Sequence, residues 1–179
     1  MLKELKPKTP SRRQRTLIDK TQLTKTKILP QLIKGFSRSC GKNNQGKITV
    51  RHRGGGHKRL YREITFKREK VEGSILGIEY DPNRSSFIAA VKGTSANFYI
   101  LAPAGLSEGD LINSGPGAPI SVGNALPLQD IPLGSFIHNI SLRPGERGKL
   151  IRSAGTSAQL LQKNLQNRGK IRLSSGKQC

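Results

Sequence analysis

The stretch EGSILGIEYDPNRSSFIAAVKGTSANFYILA, residues 72–102, decides the fold class of this chain. It contains three short runs in which apolar residues recur at alternate positions, and the turn Asp81-Pro82-Asn83 separates the first run from the second. A period of two places alternate side chains on one face of a strand, and such faces require a common core. The pattern therefore predicts a small antiparallel sheet. The side chains predicted to share its core are Phe87, Ala89, Val91, Phe98, Ile100 and Ala102.

Similar alternating runs lie on both sides of this stretch. KITV and RLYREITF precede it at residues 47–50 and 59–66, and a Gly- and Pro-rich joint at residues 113–135 separates it from a second group that begins near Phe136. The pattern favours two small β-barrels over a single sheet, because closed barrels leave no exposed strand edge. TSAQLLQKNLQN, residues 156–167, fits either a helix or a strand.

The composition indicates a modest core and an anionic partner. Only 34% of the 179 residues are hydrophobic, aromatic residues make up 4%, and the formal net charge is +21. That charge exceeds what solubility requires, so nucleic acid is the expected partner. No apolar run approaches the roughly 18 residues of a membrane span. Cys40 and Cys179, with no signal peptide before them, indicate a reducing environment rather than a disulfide framework.

The positive charge is concentrated at the two ends of the chain. Residues 1–70 hold 21 Lys and Arg but 4 Asp and Glu, residues 71–140 hold 2 against 6, and residues 141–179 hold 9 against 1. Blocks of like charge are typical of interaction arms. Residues 1–46 also lack a sustained period and contain three prolines, so they are predicted to form an extended arm. A mitochondrial presequence is the alternative for the basic start, against which its weak amphipathicity argues.

Three consecutive glycines interrupt the basic run VRHRGGGHKRLYR at residues 50–62. Glycine lacks a Cβ, so its backbone can approach a phosphate closely and can adopt the positive φ that aims successive N–H groups at one anion. The flanking Arg and Lys residues supply charge to neighbouring phosphates, and the histidines donate hydrogen bonds or stack on a base or sugar. A hairpin turn with solvated basic residues is the alternative. A nucleotide-binding loop is disfavoured, since the GxxxxGKS/T spacing is absent.

Metal and enzyme chemistry find little support in the sequence. Cys40, His52 and His57 are zinc-capable side chains, but no second cysteine lies at a suitable spacing. Asp81 is expected to cap its turn rather than to act as a base beside Glu79. No nucleophile and base can be paired from spacing.

The remaining histidine and the aromatic residues are interpreted as structural. His138 is expected to be a satisfied, partly buried histidine on the same strand face as Phe136 and Ile140. The aromatic residues predicted to pack in the core are Phe87, Phe98 and Tyr99. Because these rings are then not available for stacking, recognition is expected to rest on the nucleic-acid backbone and shape more than on base stacking, which suits folded RNA.

Five runs follow one another along the chain: KPKTPSRR, GKITVRHRGGGHKRLYREITFKR, EYDPNRSSFIAAVKG, FYILAPAGLSEGD and GNALPLQDIPLGSFIHNISLRPGERGKLIRSAGTSAQLL. Together they resemble the L-two family of large-ribosomal-subunit proteins over essentially the whole chain. The resemblance implies an all-β fold: a basic arm and glycine-rich loop at residues 1–58, an OB-like barrel at 59–125 and an incomplete SH3-like barrel at 126–179. It also implies a strand at residues 156–167.

The resemblance implies a non-catalytic, structural constituent of the large ribosomal subunit. Such a protein binds and organises rRNA and supports subunit assembly and translation near the peptidyl-transferase region, with neighbouring ribosomal proteins as further partners and no membrane contact. No cofactor and no metal site in the protein are expected, and any Mg²⁺ would arrive with the rRNA. A free nucleic-acid chaperone or DNA-coating protein is the alternative, and an enzyme is the weakest one. The residues expected to contact rRNA are Arg12, Arg13, Arg15, Arg38, Lys42, Lys47, Arg51, His52, Arg53, Gly54, Gly55, Gly56, His57, Lys58, Arg59, Arg62, Arg68, Arg84, Arg143, Arg147, Lys149 and Arg152.

The chain departs from the family after the hairpin expected at Ile171 to Gly176. Full-length members continue through the last part of the second barrel into a Gly/His-rich extension, whereas this chain stops at Cys179. We hypothesise that a separate polypeptide supplies that portion, a division resembling that of plant mitochondrial members. The family-like start leaves little room for a presequence, so an organelle-encoded protein of a plant-type mitochondrial ribosome is expected. A bacterial or plastid ribosome is the alternative.

Overall fold

The structure of the protein, a computed structural model, describes residues 2–163 and 168–179. Over these residues the chain is all-β, with two short 3-10 helices at Pro10–Arg12 and Pro30–Leu32. No helix in this part of the chain is long and apolar enough to cross a membrane. The strands are β1 (Leu2–Glu4), β2 (Thr16–Ile18), β3 (Ile33–Gly35), β4 (Leu60–Arg62), β5 (Glu72–Glu79), β6 (Ile88–Gly93), β7 (Asn97–Leu101), β8 (Leu111–Asn113), β9 (Phe136–Ile137), β10 (Ala158–Lys163) and β11 (Gly169–Arg172).

The largest sheet confirms the three strands predicted within residues 72–102. Its antiparallel strands stand in the order β7-β6-β5-β8. Strand β6 pairs with β7 from Ile88 opposite Leu101, and the register of β5 against β6 shifts between Ile75 and Gly77. This sheet and the smaller ones are consistent with an OB-like unit followed by an SH3-like unit.

Hydrophobic cores cover both faces of this sheet. The predicted face is buried by Ile75, Ala89, Val91, Ile100, Leu106 and Ile112, with Ile78, Phe98 and Ala102 packed against them. The opposite face is buried by Leu29, Ile64, Ile88, Ala90, Tyr99 and Leu101. Phe87, which the alternation assigns to the first core, is only half-buried and lies outside that cluster. The second core forms because residues 88–91 are apolar at every position, so both faces of β6 can be buried.

The segment predicted as an extended arm is in part folded. Strands β1 and β2 pair as a hairpin, β3 pairs with β4, and Leu29 lies in the second core. A single buried leucine without a local period carries no signal in the sequence, so this docking is not predicted by the pattern. The domain boundaries given above stay predictions.

Residues 24–29, here called the strap, lie along the end of strand β5. The N–H of Ile28 donates to Oε1 of Glu79 at 2.7 Å, and the N–H of Leu29 donates to Oη of Tyr99 at 3.2 Å. Both acceptor residues are buried. Glu79 therefore holds the chain in place rather than facing solvent beside the turn that follows it.

The run KITV, predicted as a strand, contributes only an isolated bridge between Lys42 and Ile48. Asn43 forms a tight turn there, because its Oδ1 accepts the N–H groups of Gln45 and Lys47 at 3.0 and 2.9 Å. Side-chain acceptors of this kind compete with a strand ladder for the backbone donors. The strand prediction is therefore wrong for these residues.

The second β-unit contains the three-stranded sheet β11-β10-β9. Its buried residues are Ile140, Ala158, Leu160 and Ile171. Strand β10 confirms a strand over residues 158–163, while residues 164–167 of the same run lie outside the described residues. The hairpin after β11 is confirmed, since the N–H of Leu173 donates to the carbonyl of Lys177 at 2.9 Å.

Candidate nucleic-acid interface

One exposed excursion of the chain collects half of the predicted RNA-binding residues. Strand β3 ends at Gly35 and β4 begins at Leu60, and these two residues are opposite each other in the antiparallel pair. Residues 36–59, here called the basic loop, therefore leave and re-enter the β-structure at one point. The exposed predicted residues of this loop are Arg38, Lys42, Lys47, Arg51, His52, Arg53, Gly54, Gly55, Gly56, His57 and Lys58.

The positive charge of the basic loop is not neutralised from within. Among the described residues, none of its Lys or Arg side chains forms an ion pair, whereas Lys34 just before the loop pairs with Glu63 at 2.8 Å. Clustered cations repel one another, and this repulsion is relieved when an anion lies between them. The loop is therefore suited to bind a polyanion.

In the described part of the protein, the consecutive glycines Gly54, Gly55 and Gly56 of the loop are not packed tightly against other residues. A Cβ added at Gly54 or Gly55 would meet no heavy atom within 4 Å, and one at Gly56 would lie 3.5 Å from Nη1 of Arg38. Gly55 has a φ of +72°, so the expectation of positive φ is confirmed at this one of the three. Because no described residue occupies the space beside Gly54, that bare backbone is free to contact a ligand.

Further predicted residues are exposed outside the loop. Three of them lie in or just after the first 3-10 helix of the arm, and the other three belong to the second β-unit. In the second group, Lys149 donates to Glu146 at 2.6 Å, and this hydrogen bond lowers the pKa of Glu146. The exposed residues of the two groups are Arg12, Arg13, Arg15, Arg143, Arg147 and Lys149.

Other predicted arginines make contacts inside the protein. Arg59 donates from Nη1 to the carbonyl of Pro82 at 2.8 Å, and Arg68 donates to the carbonyl of Gly123 at 2.7 Å. Burial lowers the pKa of Arg68 to about 10. Arg62 is buried at 8% exposure. The structure does not bring these three side chains to the exposed surface of the basic loop, and their contact with RNA stays a prediction.

Arg84 and Arg152, which the sequence predicts to contact RNA, both make contacts within the protein. Nε of Arg84 pairs with the fully buried Asp81, which also accepts the N–H of Asn83 at 2.9 Å. The expected structural role of this turn is therefore confirmed. The guanidinium carbons of Arg84 and Arg152 lie 5.8 and 4.3 Å from the ring centre of Phe66. These cation–π contacts engage both side chains, and an RNA contact by either stays a prediction.

A cleft of about 1310 Å³ is lined by residues of both β-units. His138, Asn139 and Arg152 are among its lining residues, and their atoms Nε2, Oδ1 and Nε are buried without a hydrogen-bond partner among the described residues. Burial, and then the charge of Arg68, lowers the pKa of His138. The expectation of a satisfied histidine is therefore wrong at Nε2.

The expected alternation around His138 is also wrong. Phe136 is 74% exposed, whereas Ile140 is buried at 8% exposure. Between them, Asn139 has a φ of +52°, which breaks the two-residue period of a strand. Residues on either side of such a position do not share a face.

Two exposed aromatic residues at the base of the loop were not indicated by the sequence pattern. The ring centres of Phe36 and Tyr61 lie 6.1 Å apart, and both side chains are exposed. Their neighbours in sequence, Arg38 and Arg62, were the available signal, since aromatic residues interleaved with basic ones are typical of nucleic-acid surfaces. Over residues 2–163 and 168–179, no three His, Cys, Asp or Glu side chains are grouped so as to hold a metal ion.

Two protein-family models match the chain in sequence order. Residues 29–114 match the model described as Ribosomal Proteins L2, RNA binding N-terminal domain. Residues 121–179 match the model described as Ribosomal Proteins L2, C-terminal domain. The first match begins at Leu29, the residue of the strap that enters the second core. With both domains matched over most of its length, the chain belongs to the ribosomal protein L2 family, whose members are structural, RNA-binding proteins of the ribosome.

Proposed function

We propose that this ribosomal protein is a non-catalytic constituent of the large subunit that binds and organises rRNA, supporting subunit assembly and translation near the peptidyl-transferase region. The observation that carries the proposal is the basic loop. It combines exposed cations that no carboxylate of the described chain neutralises with bare backbone at Gly54 and Gly55 that faces open space. Large-subunit rRNA would supply phosphates to both features.

The base of the loop supports a positioning role for the protein. Both ends of the loop are fixed by the β3–β4 pair, and the strap that precedes β3 is hydrogen-bonded to Glu79 and Tyr99. The loop would therefore present its charges from a fixed point of the barrel, while the exposed arginines of the arm before residue 24 would add further contacts to the RNA. Neighbouring ribosomal proteins are the further partners we propose. No cofactor is required, and any Mg²⁺ would be held by the rRNA.

We further propose a plant-type mitochondrial ribosome as the location, with a separate polypeptide supplying the rest of the second barrel. The support is the family resemblance described above. Mass spectrometry of ribosomes purified from mitochondria and from plastids tests both points. Intact ribosomes that contain this chain but no such second polypeptide would contradict the split arrangement. Recovery of the chain from plastid or bacterial ribosomes would contradict the proposed location.

A competition experiment tests the main proposal. The full-length protein is bound to labelled, folded large-subunit rRNA, and either unlabelled rRNA or duplex DNA of equal length is added at one fixed salt concentration. We expect the rRNA to compete at much lower concentration, because shape and the 2′-hydroxyl distinguish it from DNA. Equal competition would instead favour a nucleic-acid chaperone or DNA-coating protein that reads charge alone.

A further inference from the structure

We propose that Phe36 and Tyr61 form a stacking site for an unpaired base of single-stranded RNA at the root of the basic loop. The inference rests on the proposed function and deepens it, because it adds a base contact to a surface otherwise suited to phosphates. Its first support is the geometry of the β3–β4 ribbon. Lys34 is opposite Tyr61 and therefore shares its face, and Phe36 lies two residues beyond Lys34 on the same face.

The two rings form one exposed platform. Their centres are 6.1 Å apart with the planes tilted by 38°, and the two residues are 46% and 39% exposed. Tyr80 is also exposed, but Nζ of Lys20 lies 3.8 Å from its ring centre and covers it. In a chain with only 4% aromatic residues, two adjacent uncovered rings on the surface are unusual. They need a partner that presents a flat apolar face.

The charges around the platform identify that partner as a nucleotide base. The basic loop leaves the ribbon at Phe36 and returns just before Tyr61, so Arg38 and Lys58 flank the rings along the chain. The carboxylate of Glu63 is occupied by Lys34 at 2.8 Å. The core of a protein–protein interface is depleted of charge, whereas single-stranded nucleic acid pairs a cationic groove for its backbone with aromatic rings for its bases.

The stacking site is tested with a single-stranded oligoadenylate and an oligomer of the same length whose central positions are abasic. We expect the abasic change to weaken binding to the full-length wild-type protein by about tenfold. The double variant Phe36→Leu/Tyr61→Leu should lose about the same factor on the intact oligomer and show no further loss on the abasic one. The slope of log affinity against log salt should not change, because no phosphate contact is removed. The matched control is Phe136→Leu, an exposed aromatic of the second unit, which should bind like wild type.

Other outcomes overturn the inference in distinguishable ways. If the double variant binds the intact oligomer as tightly as wild type, or if its loss and the abasic loss simply add, no base stacks on these rings and a protein becomes the expected occupant. A second measurement is independent of variant folding: photo-crosslinking to RNA containing 5-iodouridine should label the peptide that contains Tyr61. Labelling of peptides at Tyr80 or Phe136 without Tyr61 would contradict the site. Failure of wild type to bind either oligomer or rRNA would instead refute the proposed function itself.

Discussion

The hydroxyl of Tyr99 donates a hydrogen bond of 3.0 Å to Oε1 of Glu79, and both side chains are buried. The same two groups accept the N–H groups of Leu29 and Ile28, so a pair of polar side chains inside the barrel fixes the chain that leads to the basic loop. Burial raises the pKa of Tyr99 to about 12, so its hydroxyl remains a donor throughout the neutral range. These hydrogen bonds, here called the anchor, therefore hold the chain that precedes the basic loop to the core of the first β-unit.

Replacement of the Tyr99 hydroxyl should weaken this anchor. In Tyr99→Phe, the buried N–H of Leu29 loses its acceptor and Glu79 loses a donor. We expect the free energy of unfolding, measured by urea denaturation, to fall by about 1–3 kcal/mol. Trypsin should also cut more readily after Lys27 in the exposed part of the strap. The control is Tyr80→Phe, which removes an exposed hydroxyl; equal losses in the two variants would contradict the anchor.

The strap also depends on a close approach at Gly77. A Cβ there would lie 2.6 Å from Oγ1 of Thr24 and 2.8 Å from Cδ1 of Ile28. Since Thr24 also donates its N–H to the carbonyl of Ile78 at 2.8 Å, the strap cannot move away without losing that bond. Gly77→Ala should therefore lower the midpoint of urea unfolding by an amount equivalent to about 1–3 kcal/mol. Gly35→Ala, where a Cβ would meet nothing within 4 Å, is the matched control and should be neutral.

Substitutions in the glycine triplet can distinguish a requirement for positive φ from a requirement for close approach to RNA. In Gly54→Val, the new side chain would enter open space, and the backbone φ at this position is not positive. The thermal midpoint of unfolding should therefore equal that of wild type, while the affinity for rRNA in filter binding should fall severalfold. Gly55→Val should lose more, because its φ of +72° also disfavours a β-branched residue. Unchanged rRNA affinity in Gly54→Val would show that the glycines serve only the turn.

The buried histidine predicts how stability depends on pH. Because burial, and then Arg68, lowers the pKa of His138, the unfolded chain binds this proton more readily than the folded protein does. The resulting contribution to the free energy of unfolding is fully present above the ordinary pKa of about 6.5 and is lost as the pH falls towards the lower pKa of the folded state. Urea unfolding from pH 8 to pH 5 should therefore show a smaller loss in His138→Gln than in wild type. A difference between the two proteins that stays constant over this range would contradict the assignment.

The sequence predicts those parts of the fold whose signal is local. The strands within residues 72–102 could be predicted because each shows its own alternation and ends at a turn. The hydrogen bonds that join Tyr99 to Glu79 and Leu29 could not be predicted, because Tyr99 is 20 residues from Glu79 and 70 residues from Leu29 along the chain. No local pattern links residues at such separations. The second core was missed for the same reason, since Leu29 enters it from a basic segment.

The candidate interface was predictable in its charge but not in its exposure. The excess of Lys and Arg indicated a cationic segment, and the Lys and Arg residues of the basic loop are exposed except Arg59, which is half-buried. The same reasoning could not distinguish Arg62, which is buried, and Arg68, which is half-buried, from Arg53, which is exposed. A long side chain with an apolar stem packs equally well against a barrel or an RNA.

The salt dependence of rRNA binding tests the central claim most directly. The affinity of the full-length protein for folded large-subunit rRNA is measured across a series of salt concentrations. Wild type is compared with the loop variant Arg51→Gln/Arg53→Gln/Lys58→Gln. The control replaces three exposed lysines outside the predicted interface, Lys92→Gln/Lys170→Gln/Lys177→Gln. If the basic loop contacts phosphates, the slope of log affinity against log salt concentration should be shallower in the loop variant than in wild type by about two units, at about 0.7–0.9 per contact. The control should keep nearly the full slope. A loop variant with the wild-type slope, or a control that loses as much, would contradict the claim that RNA phosphates match the charge of this loop.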